Sequence, residues 1–138
     1  MENHCIFCKI IEGEIPSSTI YEDDFFKVIM DISPAAKGHA IILPKKHSAN
    51  LLELDDETAT KALLVARKVA RAIQAEFNCE GINLLQNNGE AAGQTVFHYH
   101  MHIIPRFTGD QVKTTWEHGK YEEGEAAAIA AAIAARIS

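Results

Sequence analysis

Gly93-Gln94-Thr95-Val96-Phe97-His98-Tyr99-His100-Met101-His102-Ile103-Ile104-Pro105 carries three histidines that alternate with Tyr99, Met101 and Ile103. Aromatic and branched residues dominate and Pro105 closes the run, a pattern that predicts a β-strand. Alternate side chains of a strand share a face, so His98, His100 and His102 are expected to project together. At a rise of about 3.3 Å per residue, neighbouring histidines stand roughly 6–7 Å apart at Cα and the outer pair about 13 Å. A zinc–imidazole bond is only about 2.0–2.1 Å long. One ion can reach two of these rings but hardly all three, which leaves at least one histidine for another task.

The flanking sequence supplies the rest of a fold. Residues 5–11 read as a short helix that Gly13 and Pro16 end. Residues 19–21 and 25–30 read as two strands of a hairpin turning at Glu22-Asp23-Asp24. A third strand spans 39–43 and stops at Pro44, followed by the basic turn Lys45-Lys46-His47. Leu54-Asp55-Asp56-Glu57 opens one long helix, its acidic residues placed to cap the first amides and oppose the dipole. Ala59, Ala62, Leu63, Ala66, Val69, Ala70, Ile73 and Phe77 give that helix an apolar stripe. Lys61, Lys68 and Arg71 form a solvated opposite face, too spread for a binding site. A strand over 82–86 and a loop over 87–94 lead into the histidines. Residues 107–120 lack a period, and the role of Trp116 stays open between core packing and reaching a substrate. Residues 122–137, with Ile129, Ile133 and Ile137 four apart, predict a C-terminal helix. The expected class is α+β, an antiparallel sheet of about five strands with the long helix on one face.

The chain has 138 residues, which suits a single domain, 1–138, with a real core. Its net charge of −6 argues against a sequence-independent nucleic-acid binder, which needs a basic footprint. No apolar run approaches a membrane span, and Met1-Glu2-Asn3-His4-Cys5 lacks the regions of a signal peptide, so a soluble cytoplasmic protein is expected. Three cysteines do not suggest a disulfide scaffold. Cys5 and Cys8 form a C-x-x-C pair, whereas Cys79 stands apart as a small apolar residue.

The loop Asn87-Asn88-Gly89-Glu90-Ala91-Ala92-Gly93-Gln94-Thr95 is not a P-loop, because no Gly-Lys-Ser/Thr follows. It does bring backbone amides, and the side-chain donors of Gln94 and Thr95, beside three imidazoles. Donors and imidazoles suit a phosphate centre, since phosphoryl transfer depends mostly on positioning and charge stabilisation. His100, flanked by a histidine on each side, is the best-placed nucleophile on spacing. For an isolated H-x-H-x-H, metal binding ranks somewhat above nucleophilic catalysis, and satisfied structural histidines come third.

His98-Tyr99-His100-Met101-His102-Ile103-Ile104 resembles the histidine triad motif, and the chain looks like the HIT superfamily, in particular its Hint-like branch and bacterial zinc-containing type. Phe7-Cys8-Lys9-Ile10-Ile11, Glu14-Ile15-Pro16, Asp31-Ile32-Ser33-Pro34, Gly38-His39, Pro44-Lys45-Lys46-His47 and Gly93-Gln94-Thr95-Val96-Phe97-His98 match family patterns in order. The resemblance covers about residues 5–107, and segment 108–138 matches loosely. It implies a HIT fold and a homodimer that cleaves nucleoside phosphoramidates or related purine nucleotides through a nucleotidyl-histidine intermediate. Alternatives it leaves open are a dinucleoside polyphosphate hydrolase and a nucleotide-binding regulatory module with little turnover. His100 would be the nucleophile, with His102, His39 and His98 completing the catalytic histidines. Gln94 and Thr95 would bind phosphate oxygens, with Asn87 and Gly93 beside them. Asp31 would accept from the ribose hydroxyls, and Phe7, Ile10, Ile29 and Ile32 would form the base and ribose pocket. The resemblance also implies a closed structural zinc on Cys5, Cys8, His47 and His98, leaving His100 and His102 for phosphate.

Overall fold

Cys5 starts the first helix. Its Sγ accepts from the Cys8 amide at 3.2 Å and caps α1, Ile6–Ile11, pairing one of the amides that a helix start leaves open. β1, Thr19–Glu22, and β2, Phe26–Met30, form the expected hairpin. Asp23 fixes its turn: Oδ1 accepts from the amides of Phe25 and Phe26, and Oδ2 from the Tyr21 hydroxyl. With β3, Ala40–Pro44, β4, Gly81–Leu85, and β5, Met101–Arg106, the strands form one antiparallel sheet in the order β1-β2-β3-β5-β4. The computed structural model describes residues 4–138. Among these, no helix is long and apolar enough to cross a membrane.

Strand alternation divides the apolar residues between two layers. Val28, Ala40, Ile42 and Ile103 face the long helix α2, Asp56–Phe77, and pack on its Ala62, Val65, Ala66, Val69 and Ile73. Ile29, Ile41 and Leu43 face the other way, against Phe7 and Ile10 of α1. Asp55 caps α2 through the Thr58 amide, and Asn78 ends it in the left-handed conformation. The α2 stripe differs from the expected one at Ala59, Leu63 and Phe77, which are exposed, and at Val65, which is buried. Lys61 and Lys68 lie over the rings of Phe25 and Tyr21 rather than standing in solvent alone.

The histidine run is only half strand. β5 begins at Met101, and residues 96–98 bend. The β3–β5 ladder ends at Ile42↔Met101 because the next residues bond elsewhere. The Tyr99 amide donates to the Ser48 carbonyl at 2.7 Å, and the His98 ring donates from Nε2 to the Pro44 carbonyl at 2.8 Å. Pro105 does not close the strand, which continues to Arg106. The Glu80 amide bonds to the Arg106 carbonyl, so Arg106 turns its polar groups towards β4 and Pro105 turns its own away. On that side the ladder to β3 has already ended at Ala40↔Ile103, and the missing proline N–H breaks no bond.

Arg106 ties down the following segment, reaching Asp110 at 2.7 and 2.9 Å, Asn83 Oδ1 at 2.6 Å and the Val112 carbonyl at 2.8 Å. Trp116 is 78% exposed, so core packing is not its role within one chain. The C-terminal helix α3 spans Glu125–Ala134, shorter than expected, and buries none of its residues.

Candidate active site and metal centre

Four side chains from three parts of the chain meet behind α1. The His98 Nδ1 lies 3.3 Å from Cys5 Sγ, 3.5 Å from Cys8 Sγ and 3.1 Å from His47 Nδ1, and Cys8 Sγ lies 3.4 Å from His47 Nδ1. Bonds of about 2.3 Å to sulfur and 2.0–2.1 Å to nitrogen give a tetrahedron edges of about 3.3–3.8 Å, so the donor spacing fits one ion. The tautomer fits as well. His98 donates from Nε2 to the Pro44 carbonyl, which leaves the Nδ1 lone pair aimed at the cluster, the outer hydrogen bond that a ligating histidine ordinarily makes. Burial first, then His47 and His100, hold the His98 pKa down to about 4 against the Pro44 carbonyl, so the ring is neutral and able to ligate. These four residues could hold a metal ion.

His100 follows two residues later. Its Nδ1 donates to the His98 carbonyl at 2.8 Å, which leaves the Nε2 lone pair available. Phe7 stands edge-on to the His100 ring at 4.9 Å, and His102 stands edge-on to it at 5.1 Å. The rings thus stay adjacent although only His102 lies in β5. Burial lowers the His100 pKa, opposed by the His98 carbonyl and by Asp31.

His39 sits behind His102. Its Nδ1 accepts from the Ala35 amide at 3.0 Å, so the ring proton is on Nε2, 2.9 Å from His102 Nδ1. Asp31 Oδ2 lies 3.5 Å from the same His39 Nε2 and 4.0 Å from His102 Nδ1. Asp31, His39 and His102 also bring their donor atoms close enough for an ion. The outer nitrogen decides against it. A ligating histidine donates from that atom, whereas His39 accepts there, and binding through Nε2 would strip its last ring proton. The cluster is a hydrogen-bond chain.

A cavity of about 260 Å³ opens between α1, β2 and the loop before the histidines. Phe7, Ile10, Ile29, Asp31, Ile32, Asn87, Gly93, Thr95, His100 and His102 line it, so ten of the residues expected at a nucleotide site come together. Ile6, Ile15, Pro16, Ser17, Met30, Ile41 and Val96 also line it and were not expected as site residues. Ile15, Pro16 and Val96 lie in stretches that match the family patterns, and Ser17 follows Pro16. Ile6 and Met30 adjoin the expected Phe7 of α1 and Ile29 of β2, and Ile41 of β3 lies just past His39. Glu90, a carboxylate unwelcome beside phosphate, is exposed. His39, His98 and Gln94 are not in the wall. Gln94 is buried, its Oε1 accepting from the Gly89 amide and its Nε2 donating to the carbonyls of Ala49 and Val96. Those bonds hold the loop between Gly89 and Gly93, both at positive φ.

Comparison with known proteins matches residues 12–109 to the HIT domain. A crystal structure of a HIT family member from Bacillus subtilis is 47% identical, covers 99% of each chain and superposes with a TM-score of 0.93. A zinc-bound histidine triad family protein from Mycobacterium smegmatis is 36% identical over 96% of this chain and 98% of its own, with a TM-score of 0.76. The adenosine 5'-monophosphoramidase hnt1 of Schizosaccharomyces pombe is 45% identical over 74% of each chain. With the triad His98, His100 and His102 inside the matched span, the chain belongs to the HIT domain family.

Proposed function

We propose that the chain binds a purine nucleotide and cleaves nucleoside phosphoramidates, of the AMP-amine or AMP-lysine kind, through a nucleotidyl-His100 intermediate. The observation that carries this reading is the His100 tautomer: Nδ1–H is held by the His98 carbonyl, and Nε2 presents a lone pair beside the cavity. That lone pair attacks the α-phosphorus as the bond to the leaving amine breaks. The amine takes the electron pair and a proton from solvent water, and departs neutral. A second water then attacks the phosphorus, its proton passing to solvent as the P–N bond to His100 breaks and the nucleoside monophosphate and neutral His100 are released, so one difficult displacement becomes two easier ones. Thr95, Gly93 and Asn87 contact the phosphate from the loop. Asp31 receives the ribose hydroxyls, with Phe7, Ile10, Ile29 and Ile32 against the sugar and base. Gln94 serves the phosphate by shaping its loop. The name of the Schizosaccharomyces pombe relative supports this substrate class.

Zinc is the ion proposed for Cys5, Cys8, His47 and His98, because two thiols with two imidazoles are a closed tetrahedral set for it. Its part is structural, tying α1 to the segment that carries His100. A homodimer is proposed as well. The outer edge of β4 and the exposed Leu63, Leu64, Leu84 and Leu85 beside it support that assembly.

The test is cleavage of adenosine 5'-phosphoramidate. The purified protein should release AMP, and His100→Ala should lower the rate by at least about 10³-fold while retaining AMP binding. Tight AMP binding with no turnover would overturn the enzymatic reading.

A further inference from the structure

Every residue from 115 to 138 is exposed. Among the described residues, no hydrogen bond or ion pair joins this stretch to the rest of the chain. It is nonetheless rich in apolar groups, with Trp116, Tyr121, Ile129, Ile133 and Ile137 all open to solvent. A helix of 10 residues is marginal alone in water, and α3 starts at Gly124 without a side-chain cap. Yet the stretch has a fixed place. Residues 115–138 make up more than a sixth of the chain, so a Bacillus subtilis structure that placed them elsewhere could not superpose at 0.93. A segment that its own chain does not hold, but that keeps its place, is held from outside. We infer that residues 115–138 are an arm that lies on a second copy of this chain, with α3 burying its Ile129 and Ile133 face there. This rests on the homodimer reading and adds a second contact to the sheet edge.

The root of the arm indicates which partner it meets. Arg106 binds Asp110, Thr114 and the Val112 carbonyl together with Asn83 of β4. β4 is the outer strand of the sheet, and it carries the exposed Leu84 and Leu85 of the proposed dimer edge. The arm therefore leaves the domain at the seam between two copies and begins within reach of the second. A two-fold axis makes the exchange reciprocal, each copy receiving the arm it gives. Ile129 and Ile133 stand one turn apart on one face of α3, the spacing with which a helix docks on an apolar surface. An anionic membrane is the poorer partner, because Glu122, Glu123 and Glu125 lead into the helix and would be repelled. The HIT domain match ends at residue 109, so the arm is an addition to that domain rather than a part of it.

Sedimentation, hydrogen exchange and cross-linking of the full-length chain test this together. The unaltered chain should sediment as a dimer, with the α3 amides exchanging far more slowly than those of an unstructured peptide. A photoreactive group introduced as Ile133→p-benzoylphenylalanine should yield a covalent dimer on irradiation. Ile129→Asp combined with Ile133→Asp should raise the dimer dissociation constant by about 10²-fold or more and free the α3 amides to exchange. Each copy should keep its own fold, because neither side chain is buried in it. A dimer whose α3 amides exchange freely overturns the arm and leaves the sheet-edge dimer standing. So does a photoreactive group that links only within one chain, or a dimer affinity that ignores the paired substitution. An unaltered chain that sediments as a monomer at every concentration overturns the homodimer reading and the arm with it. Should the paired variant fail to fold, exchange and cross-linking decide without it.

Discussion

The Nδ1 of His100 donates to the backbone carbonyl of His98 at 2.8 Å, and the ring of that same His98 faces Cys5 and Cys8. One residue thus joins the Cys5, Cys8 and His47 cluster through its side chain and the proposed nucleophile through its backbone. The tautomer of His100 depends on where the cluster holds His98.

Cys8→Ser should therefore separate stability from binding. Losing a structural metal ligand costs about 4 kcal/mol or more, read as a lower unfolding midpoint and less than one zinc per chain by elemental analysis. AMP affinity should stay close to that of the unaltered protein, because Cys8 does not line the cavity. The value of kcat should fall as His98 loosens. A metal-free protein with unchanged stability would remove the structural role from this cluster.

Asp31→Asn should weaken binding of AMP by about 1.5 kcal/mol, roughly tenfold, since it replaces the charged acceptor proposed for the ribose hydroxyls. Calorimetry with AMP and 2',3'-dideoxy-AMP checks the cause. The unaltered protein should discriminate between them, and Asp31→Asn should discriminate much less.

Acid should act on His102. Burial first, then His100 and His39, hold its pKa down to about 4. The ring is neutral above that value, so it contributes no limb to kcat/KM between pH 5 and 8. Stability has the matching sign. The unfolded ring takes up a proton near its ordinary value of about 6.5 and the folded ring does not. Stability from this group is therefore complete above that value and declines as pH falls towards about 4. A pH series of urea unfolding for the unaltered protein and His102→Gln isolates the contribution.

Gly38→Ala should destabilise the fold by about 2 kcal/mol. Gly38 has φ +98°, and a Cβ there would stand 2.6 Å from Cε2 of the Phe77 ring at the end of α2. Thermal unfolding checks this, and the cavity residues should be unaffected because Gly38 is not among them.

Much of this was legible in the residues. Runs of branched and apolar residues between turn signals located all five strands, and a period of 3.6 located α2. The reach of a zinc bond showed only that one ion cannot take all three histidines, and the division of duties among them came from the family resemblance. The expected strand, however, began too early. Alternation reports side-chain pattern, and it cannot reveal that the Tyr99 amide is taken by the Ser48 carbonyl. The stripe of α2 was misplaced at Leu63 because two adjacent leucines, Leu63 and Leu64, both suit a helical period while neither is buried. Gln94 read as a phosphate donor because amides donate, but its partners are loop carbonyls 2 and 45 residues away along the chain. The polarity of His39 and His102 depends on one backbone amide, that of Ala35, and backbone donors have no signature in a side-chain sequence.

On the proposed mechanism, His100 carries the nucleotide between the two displacements. Rapid quenching after brief exposure to an adenosine phosphoramidate, followed by peptide mass spectrometry, reads this out. An adenylyl adduct on His100 that forms and decays at rates compatible with turnover is expected. Turnover accompanied by an adduct on another residue, or by none under conditions that preserve phosphohistidine, would contradict it.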